Sequence, residues 1–242
     1  MKIQAVIFDV YSTLLEVGPP PSDAAGRWQR LFETHLQGPP PMGRSEFSIA
    51  CSQAIATRHT WARSRGIAWP EIDWPSVVCE VLPALGRLPV VEREEFIYEH
   101  IQLGRTLRLP TEAATALNWL RRQGIPLGIA SNSQAYTLRE LEEALAAYGL
   151  TLEPFSSDLC FWSFRQGFSK PDPHVFHSLT HRLATRGIPP TGVLMVGDRL
   201  DNDIQPARAF DWQTWQITAS GDGPDRGPWS SLLERLKAST PS

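Results

Sequence analysis

Three short apolar runs in this chain each stop on a residue able to do chemistry, and this pattern constrains the fold most. Ile3 to Phe8 ends at Asp9, Ile125 to Ala130 ends at Ser131, and Gly192 to Val196 ends at Gly197-Asp198. Runs this short and apolar have the pattern of strands buried on both faces. Helical patterns separate them. Thr111 to Gln123 aligns Ala113, Leu117 and Leu120 and stops at Gly124, and a second helix carries Leu138, Leu141 and Leu145 to Gly149. Others cover Pro173 to Arg186, a short stretch to Phe210, and Trp229 to Lys237. Further strands are expected near Leu159 to Ser163 and at Gln213 to Ile217. Strands alternating with helices predict an α/β fold, a Rossmann-like parallel sheet with right-handed crossovers.

Residues 16–107 interrupt that alternation. Pro19-Pro20-Pro21 and Pro39-Pro40-Pro41 bracket a helix with Trp28, Leu31, Phe32, His35 and Leu36 on one face and Ser22 as its N-cap. Ser45 opens a longer helix through Phe47, Cys51, Ala54, Ile55 and Trp61, closed by Gly66. Two more helices are expected near Pro75 to Leu82 and Glu92 to Leu103, and no strand. The chain thus divides into a core of residues 1–15 and 108–242 and an all-helical insertion of 16–107. Trp28, Trp61, Trp69 and Trp74 are expected to form the insertion's own core. Arg58, Arg63 and Arg65 read as a solvated helix face, or as a greeting for an anionic substrate.

Composition excludes several classes. An apolar content of 42% and nine tryptophans in 242 residues exclude disorder. With 23 Lys+Arg against 26 Asp+Glu there is no field to hold nucleic acid or an anionic membrane. No apolar run approaches the roughly 20 residues of a membrane span, and residues 3–8 are too short for a signal peptide. Cys51, Cys79 and Cys160 lack CxxC spacing and read as buried thiols of a reducing, cytoplasmic setting. The oligomeric state is not legible.

In parallel sheets the ligand site lies outside the carboxyl ends of the strands. Asp9, Ser131 and Asp198 fall there, and Lys170 lies in a connection. A carboxylate at a strand end is either a loop cap or a nucleophile that forms a covalent intermediate. Ser131-Asn132 offers hydrogen-bond donors to substrate oxygens, and the Lys170 ammonium offsets charge on a nucleophile and a transferring group. Gly197-Asp198-Arg199-Leu200-Asp201-Asn202-Asp203 adds acids, with Asp201 reading as a solvated one. Clustered carboxylates repel unless a hard cation joins them, which points to Mg²⁺. His174, His177 and His181 share a helical face but lack acidic or thiol partners, so they read as a wet surface.

The ordered set Asp9-Val10-Tyr11-Ser12-Thr13-Leu14-Leu15, Ser131-Asn132, Lys170-Pro171-Asp172-Pro173 and Gly197 to Asp203 resembles the motifs of the haloacid dehalogenase superfamily. The resemblance implies a Rossmann-like hydrolase core with a helical cap at 16–107. By the same resemblance Asp9 would be the nucleophile and a metal ligand, with the Tyr11 carbonyl and Asp198 completing the Mg²⁺ set. Asp203 would hold a metal-bound water or orient Lys170. Ser131, Asn132 and Lys170 would bind the transferred group, and Thr13 would cap or orient the nucleophile loop.

One departure divides the activities. The superfamily's phosphatases usually carry a second aspartate two positions after the nucleophile, which protonates the leaving alkoxide; here Tyr11 stands there. Tyrosine instead resembles the 2-haloacid dehalogenases, whose departing halide needs no proton. Those enzymes work without metal and lack the fourth motif present here. The expectation is an Mg²⁺-dependent phosphohydrolase of a small, anionic phosphorylated metabolite. The alternatives are a dehalogenase-like hydrolase and a low-turnover binding or regulatory protein. Asp211, where relatives often have glycine, suits a left-handed conformation.

Overall fold

The computed structural model describes residues 2–219, 221 and 223–239. The ends of the expected core, residues 1 and 240–242, and positions 220 and 222 lie outside the described residues. Two compact units are present: Met1–Glu16 with Arg108–Ser242, and Val17–Leu107.

Along the chain, β1 (Ala5–Phe8) and β2 (Glu16–Gly18) precede α1 (Ala24–Leu36), α2 (Arg44–Arg63), α3 (Trp74–Val81) and α4 (Val90–Gln102). Next come β3 (Thr106–Arg108), α5 (Thr111–Arg122), β4 (Leu127–Ser131), α6 (Tyr136–Ala146), β5 (Phe155–Trp162), α7 (Ser163–Gln166) and α8 (Pro173–Thr185). The chain continues through β6 (Val193–Gly197), a π-helical turn (Leu200–Ile204), α9 (Gln205–Ala209), β7 (Gln213–Ile217), β8 (Arg226–Gly227) and α10 (Trp229–Ser239).

The α/β unit is built on a six-stranded sheet in the order β5-β4-β1-β6-β7-β8. Its paired strands run parallel. β1 is central, with Phe8 in register with Ile129 of β4 and Val196 of β6. All four β1 side chains are buried, which explains a run without polar alternation. Ile7, Leu159, Phe161, Val175, Phe176, Leu179 and Met195 share one cluster. Burying a side chain such as Phe176 contributes about 1.5–3 kcal/mol. Phe8 stacks on Trp229 at the start of α10, with ring centroids 6.1 Å apart. The sheet's middle is thereby apolar and packed, and its carboxyl edge is where polar groups emerge.

In the helical unit, Trp28 of α1 meets Phe47 of α2 at 5.3 Å between ring centroids, and Phe32 of α1 meets Phe96 of α4 at 5.2 Å. Several expectations are corrected. Trp61 and Trp69 do not join this core; they are 59% and 40% exposed, and Arg65 lies 3.9 Å over the Trp61 ring. Arg58 pairs with Glu80 at 2.6 Å, as part of the helical unit's own surface. β2 and β3 form a small two-stranded sheet where no strand was expected; three residues are too few to show an alternation. Ser22 does not cap α1, whose N-cap position is Asp23. Of the cysteines only Cys51 is buried. Among the described residues no helix is long and apolar enough to cross a membrane.

Candidate active site

The loop after β1 is a tight turn. Leu15 N–H donates to Val10 C=O at 2.7 Å, Ser12 N–H donates to Leu15 C=O at 2.7 Å, and Ser12 takes φ 58°. Few residues other than glycine accept that conformation, so the turn is held rather than relaxed. Trp229 Nε1 donates to Thr13 C=O at 3.2 Å and pins the loop from the side of α10. The Asp9 amide donates to Val196 C=O at 2.9 Å, extending the β1–β6 ladder by one rung. Asp9 therefore stands on the sheet and not on a free loop.

Lys170 is buried between two acids. Its Nζ donates to Asp9 Oδ1 at 2.7 Å and to Asp203 Oδ1 at 2.5 Å. Asp203 sits on the π-helical turn, and its Oδ2 accepts from the Arg199 amide at 3.0 Å. Gly197 makes that approach possible, since a Cβ there would lie 2.5 Å from the Asp203 side chain. Asp9, Asp198 and Asp203 each offer a carboxylate oxygen, all within 4.8 Å of one another. Burial pushes the Asp9 carboxyl up to about 7, with Lys170 opposing the rise and Asp203 adding to it. Asp198 is also raised, by burial first and by Asp203 next. Burial works against the Lys170 ammonium, yet Asp203 and Asp9 outweigh it and the net shift is upward. Three acids share one buried cation, a surplus of negative charge that suits a divalent ion.

A cavity of about 230 Å³ opens on this cluster, lined by Asp9, Tyr11, Asn132, Lys170, Asp198 and Arg199 among others. The structure thus brings Asp9, Tyr11, Asn132, Lys170, Asp198 and Asp203 to one place. Asn132 has a duty that sequence does not reveal. Its Oδ1 accepts from the Lys170 amide at 2.7 Å and its Nδ2 donates to the Lys170 carbonyl at 2.8 Å. The Asn132 side chain thereby fixes the backbone from which the ammonium projects. Ser131 is fully buried at the end of β4, and its hydroxyl has no hydrogen-bond partner. It caps no helix, because α6 starts only at Tyr136 with Ala135 in the N-cap position. The Thr13 hydroxyl likewise has no partner, so its expected capping role is not seen. Asp201 is on the surface, paired with Arg199 at 2.6 Å. His174, His177 and His181 are exposed on α8, and His174 pairs with Asp172. Asp211 adopts φ 61°, the left-handed conformation.

Sequence reasoning missed the partners of Tyr11. Its hydroxyl is 2.5 Å from Glu140 Oε2 and 2.6 Å from Thr137 Oγ1, both on α6. No local pattern announces a contact across more than 120 positions. The only available signal was an acid on the same helical face as Thr137.

A buried carboxyl, a buried lysine and an acidic pair gather at the carboxyl edge of a parallel sheet, where ligand sites of such sheets lie. A family model described as haloacid dehalogenase-like hydrolase matches residues 3–211, and the chain belongs to that family. A haloacid dehalogenase-like hydrolase domain-containing protein 3 of Bos taurus is 31% identical over 129 residues, 53% of this chain. That match spans 46% of the bovine protein's length. The crystal structure of an L-2-haloacid dehalogenase has 22% identity and a TM-score of 0.55, covering 98% of this chain and 100% of its own. A haloacid dehalogenase family enzyme of Bacteroides thetaiotaomicron, a mutant solved with magnesium and inorganic phosphate, has 14% identity and a TM-score of 0.56. It covers 92% of this chain and 97% of its own. Both likenesses are likenesses of fold.

Proposed function

We propose that this hydrolase is an Mg²⁺-dependent phosphohydrolase acting on a small, anionic phosphorylated metabolite through an aspartyl-phosphate on Asp9. The observation that carries the reading is the convergence of Asp9, Asp198 and Asp203 within 4.8 Å around Lys170. One lysine does not neutralise three acids; burial raises the Asp9 and Asp198 carboxyls first, and the Asp203 charge adds to the rise in both. Asp9, Asp198 and the Tyr11 carbonyl would hold the ion, which when bound offsets charge on the nucleophile and the phosphoryl oxygens. The magnesium and phosphate bound by the Bacteroides enzyme support the same assignment.

The chain's own groups then have distinct duties. An Asp9 oxygen forms the bond to phosphorus while the bond to the leaving oxygen breaks, its electron pair departing with that oxygen. Lys170 neutralises charge on Asp9 and on the transferring group, held in line by Asn132 below and Asp203 beside it. The unpaired Ser131 hydroxyl is a donor kept for a phosphoryl oxygen, since a buried hydroxyl without a partner is costly in a site with no further use for it. A water oxygen then bonds to phosphorus, the bond from phosphorus to the Asp9 oxygen breaks with its pair returned to the Asp9 carboxylate, and the water's proton leaves with the released hydrogen phosphate. The free thiols fit a reducing, cytoplasmic setting.

Tyr11 favours a second reading, hydrolysis of a 2-haloacid through an ester on Asp9, which needs neither acid nor metal. A screen of phosphorylated metabolites and 2-haloacids, each with Mg²⁺ and with EDTA, separates the two. Phosphate release that EDTA abolishes is the expected result. Halide release that survives EDTA would overturn the proposal.

A further inference from the structure

Residue 11 occupies the place at which a leaving-group acid is wanted, and its phenol hydroxyl is engaged by two side chains of α6. The Tyr11 hydroxyl donates to Glu140 Oε2 at 2.5 Å. A phenol has one proton, so Thr137, 2.6 Å away, is left as the donor to the phenol oxygen. Thr137 Oγ1 in turn accepts from the Gln134 amide at 3.3 Å, so the chain of donors and acceptors is consistent. Thr137 and Glu140 are 0% and 3% exposed, one helical turn apart on the inner face of α6. The next acids, Glu142 and Glu143, face solvent, and Glu143 pairs with Arg139. Glu140 is thus a buried carboxylate placed against one residue of the nucleophile loop, and nothing in the proposed chemistry uses it. Burying a carboxylate is costly unless it is bonded. The loop it reaches is tight: Val10 and Leu15 are hydrogen-bonded across it, so moving residue 11 moves Asp9 and the residue-11 carbonyl together.

We infer that Glu140 and Thr137 are positioning residues that act through Tyr11, clamping the nucleophile loop and making residue 11 a strut instead of a proton donor. It follows, resting on the phosphohydrolase reading, that the substrates are phosphates whose leaving group departs as a stable anion: aryl, enol or acyl phosphates. In that step the Asp9 oxygen bonds to phosphorus, the phosphorus–oxygen bond breaks, and the leaving oxygen keeps the pair as phenolate, enolate or carboxylate. No proton is drawn from position 11.

The test uses Tyr11→Phe, Glu140→Leu, Glu140→Gln and the double variant Tyr11→Phe/Glu140→Leu. Rates are measured on p-nitrophenyl phosphate and glycerol phosphate with Mg²⁺, and amide hydrogen exchange of residues 9–15 is measured without metal. Wild-type protein is expected to turn over the aryl ester at least about 100-fold faster, general acid help being worth roughly that much or more. Tyr11→Phe and Glu140→Leu should each lower kcat about 10- to 100-fold by the same factor on both esters, the scale of a misplaced catalytic group, with KM held within about twofold. The double variant should be no worse than either single one, Glu140→Gln should recover most of the rate, and exchange in residues 9–15 should rise in both single variants. A Tyr11→Phe loss confined to glycerol phosphate would show Tyr11 to be the acid and overturn the inference. So would additive losses, or equal wild-type rates on the two esters. If wild-type protein cleaves no phosphate ester, the phosphohydrolase reading fails, and the exchange of residues 9–15 still decides the clamp: unchanged exchange refutes it.

Discussion

The two units treat polar groups in opposite ways. Among the described residues, all eleven buried polar or charged side chains, from Asp9 through Glu140 and Lys170 to Thr214, belong to the α/β unit. The helical unit buries Trp28, Phe32, Phe47, Val77, Leu85 and Phe96, and none of its acids or arginines is fully buried among the described residues. Their cavities differ likewise. The α/β cavity is lined by three aspartates, a lysine and an arginine. A cavity of about 740 Å³ in the helical unit is lined by Phe47, Ile55, Trp74, His100 and several serines, with Arg44 as the charged residue. Burying charge costs several kcal/mol per ion before pairing, so a domain that needs only stability avoids it. The helical unit shows that this chain can build a core without buried charge. In the other unit Asp9, Lys170 and Asp203 are buried together, as the proposed active site requires.

The sharpest way to break that contrast is at Asp9, the proposed nucleophile. Asp9→Asn keeps size and shape and removes the attacking charge, and turnover is expected to fall about 10⁴-fold or more. Circular dichroism should show the fold unchanged. Residual activity near wild type would move the chemistry away from the sheet edge altogether. Lys170→Met comes next. It leaves Asp9 and Asp203 as buried acids without their cation, a change that costs about 3–5 kcal/mol of stability. The urea midpoint should drop accordingly, and Mg²⁺ should restore part of the loss by replacing the missing positive charge. A midpoint equal to wild type would mean that the lysine compensates nothing.

Legibility in the sequence divides along the same line. Asp9, Ser131 and Asp198 could be placed because a buried parallel strand is an unbroken apolar run and the sheet topology sends its carboxyl end to the site. β7 was placed too, at Gln213–Ile217, although Gln213, Thr214 and Gln216 make it no unbroken apolar run. Lys170 stands in a loop, so periodicity said nothing of it and only the motif did. The paired hydrogen bonds between the Asn132 side chain and the Lys170 backbone, and the Tyr11–Glu140 contact, join positions far apart in sequence. Glu140 stands beside Glu142 and Glu143 in the sequence, and only the turn of α6 puts it inside while they stay exposed. In the helical unit the helices were legible from their 3.6-residue period. Which tryptophans they bury was not, because helix packing angles decide it: Trp28 went in, and Trp61 and Trp69 stayed out. Two- to four-residue elements such as β2, β8 and α7 carry too few residues for any period.

His100 tests the contrast from the other side, since it is the polar ring set most deeply among the helical unit's aromatics. Its ring meets those of Trp28, Phe47 and Trp74 at 5.0–6.2 Å, and its Nδ1 is buried without a hydrogen-bond partner. Burial, with a further contribution from the Arg44 charge, lowers it from 6.5 to about 4. A histidine held neutral in the fold binds a proton more readily once unfolded. Between pH 6.5 and about 4 the unfolded state therefore carries the extra proton, and stability falls as pH falls through that window. Above 6.5 the contribution is complete; below about 4 it is gone. The full span is worth at most about 3 kcal/mol, from a shift of 1.36 kcal/mol per pKa unit. Carboxylates titrate in the same range, so the quantity to measure is the difference between wild type and His100→Phe in urea midpoint from pH 7.5 to 4. The variant should lose less stability than wild type across that span, and the two curves should run parallel above pH 7. If the curves stay parallel down to pH 4, the ring is protonated in the folded state, and the helical unit, too, tolerates a buried charge.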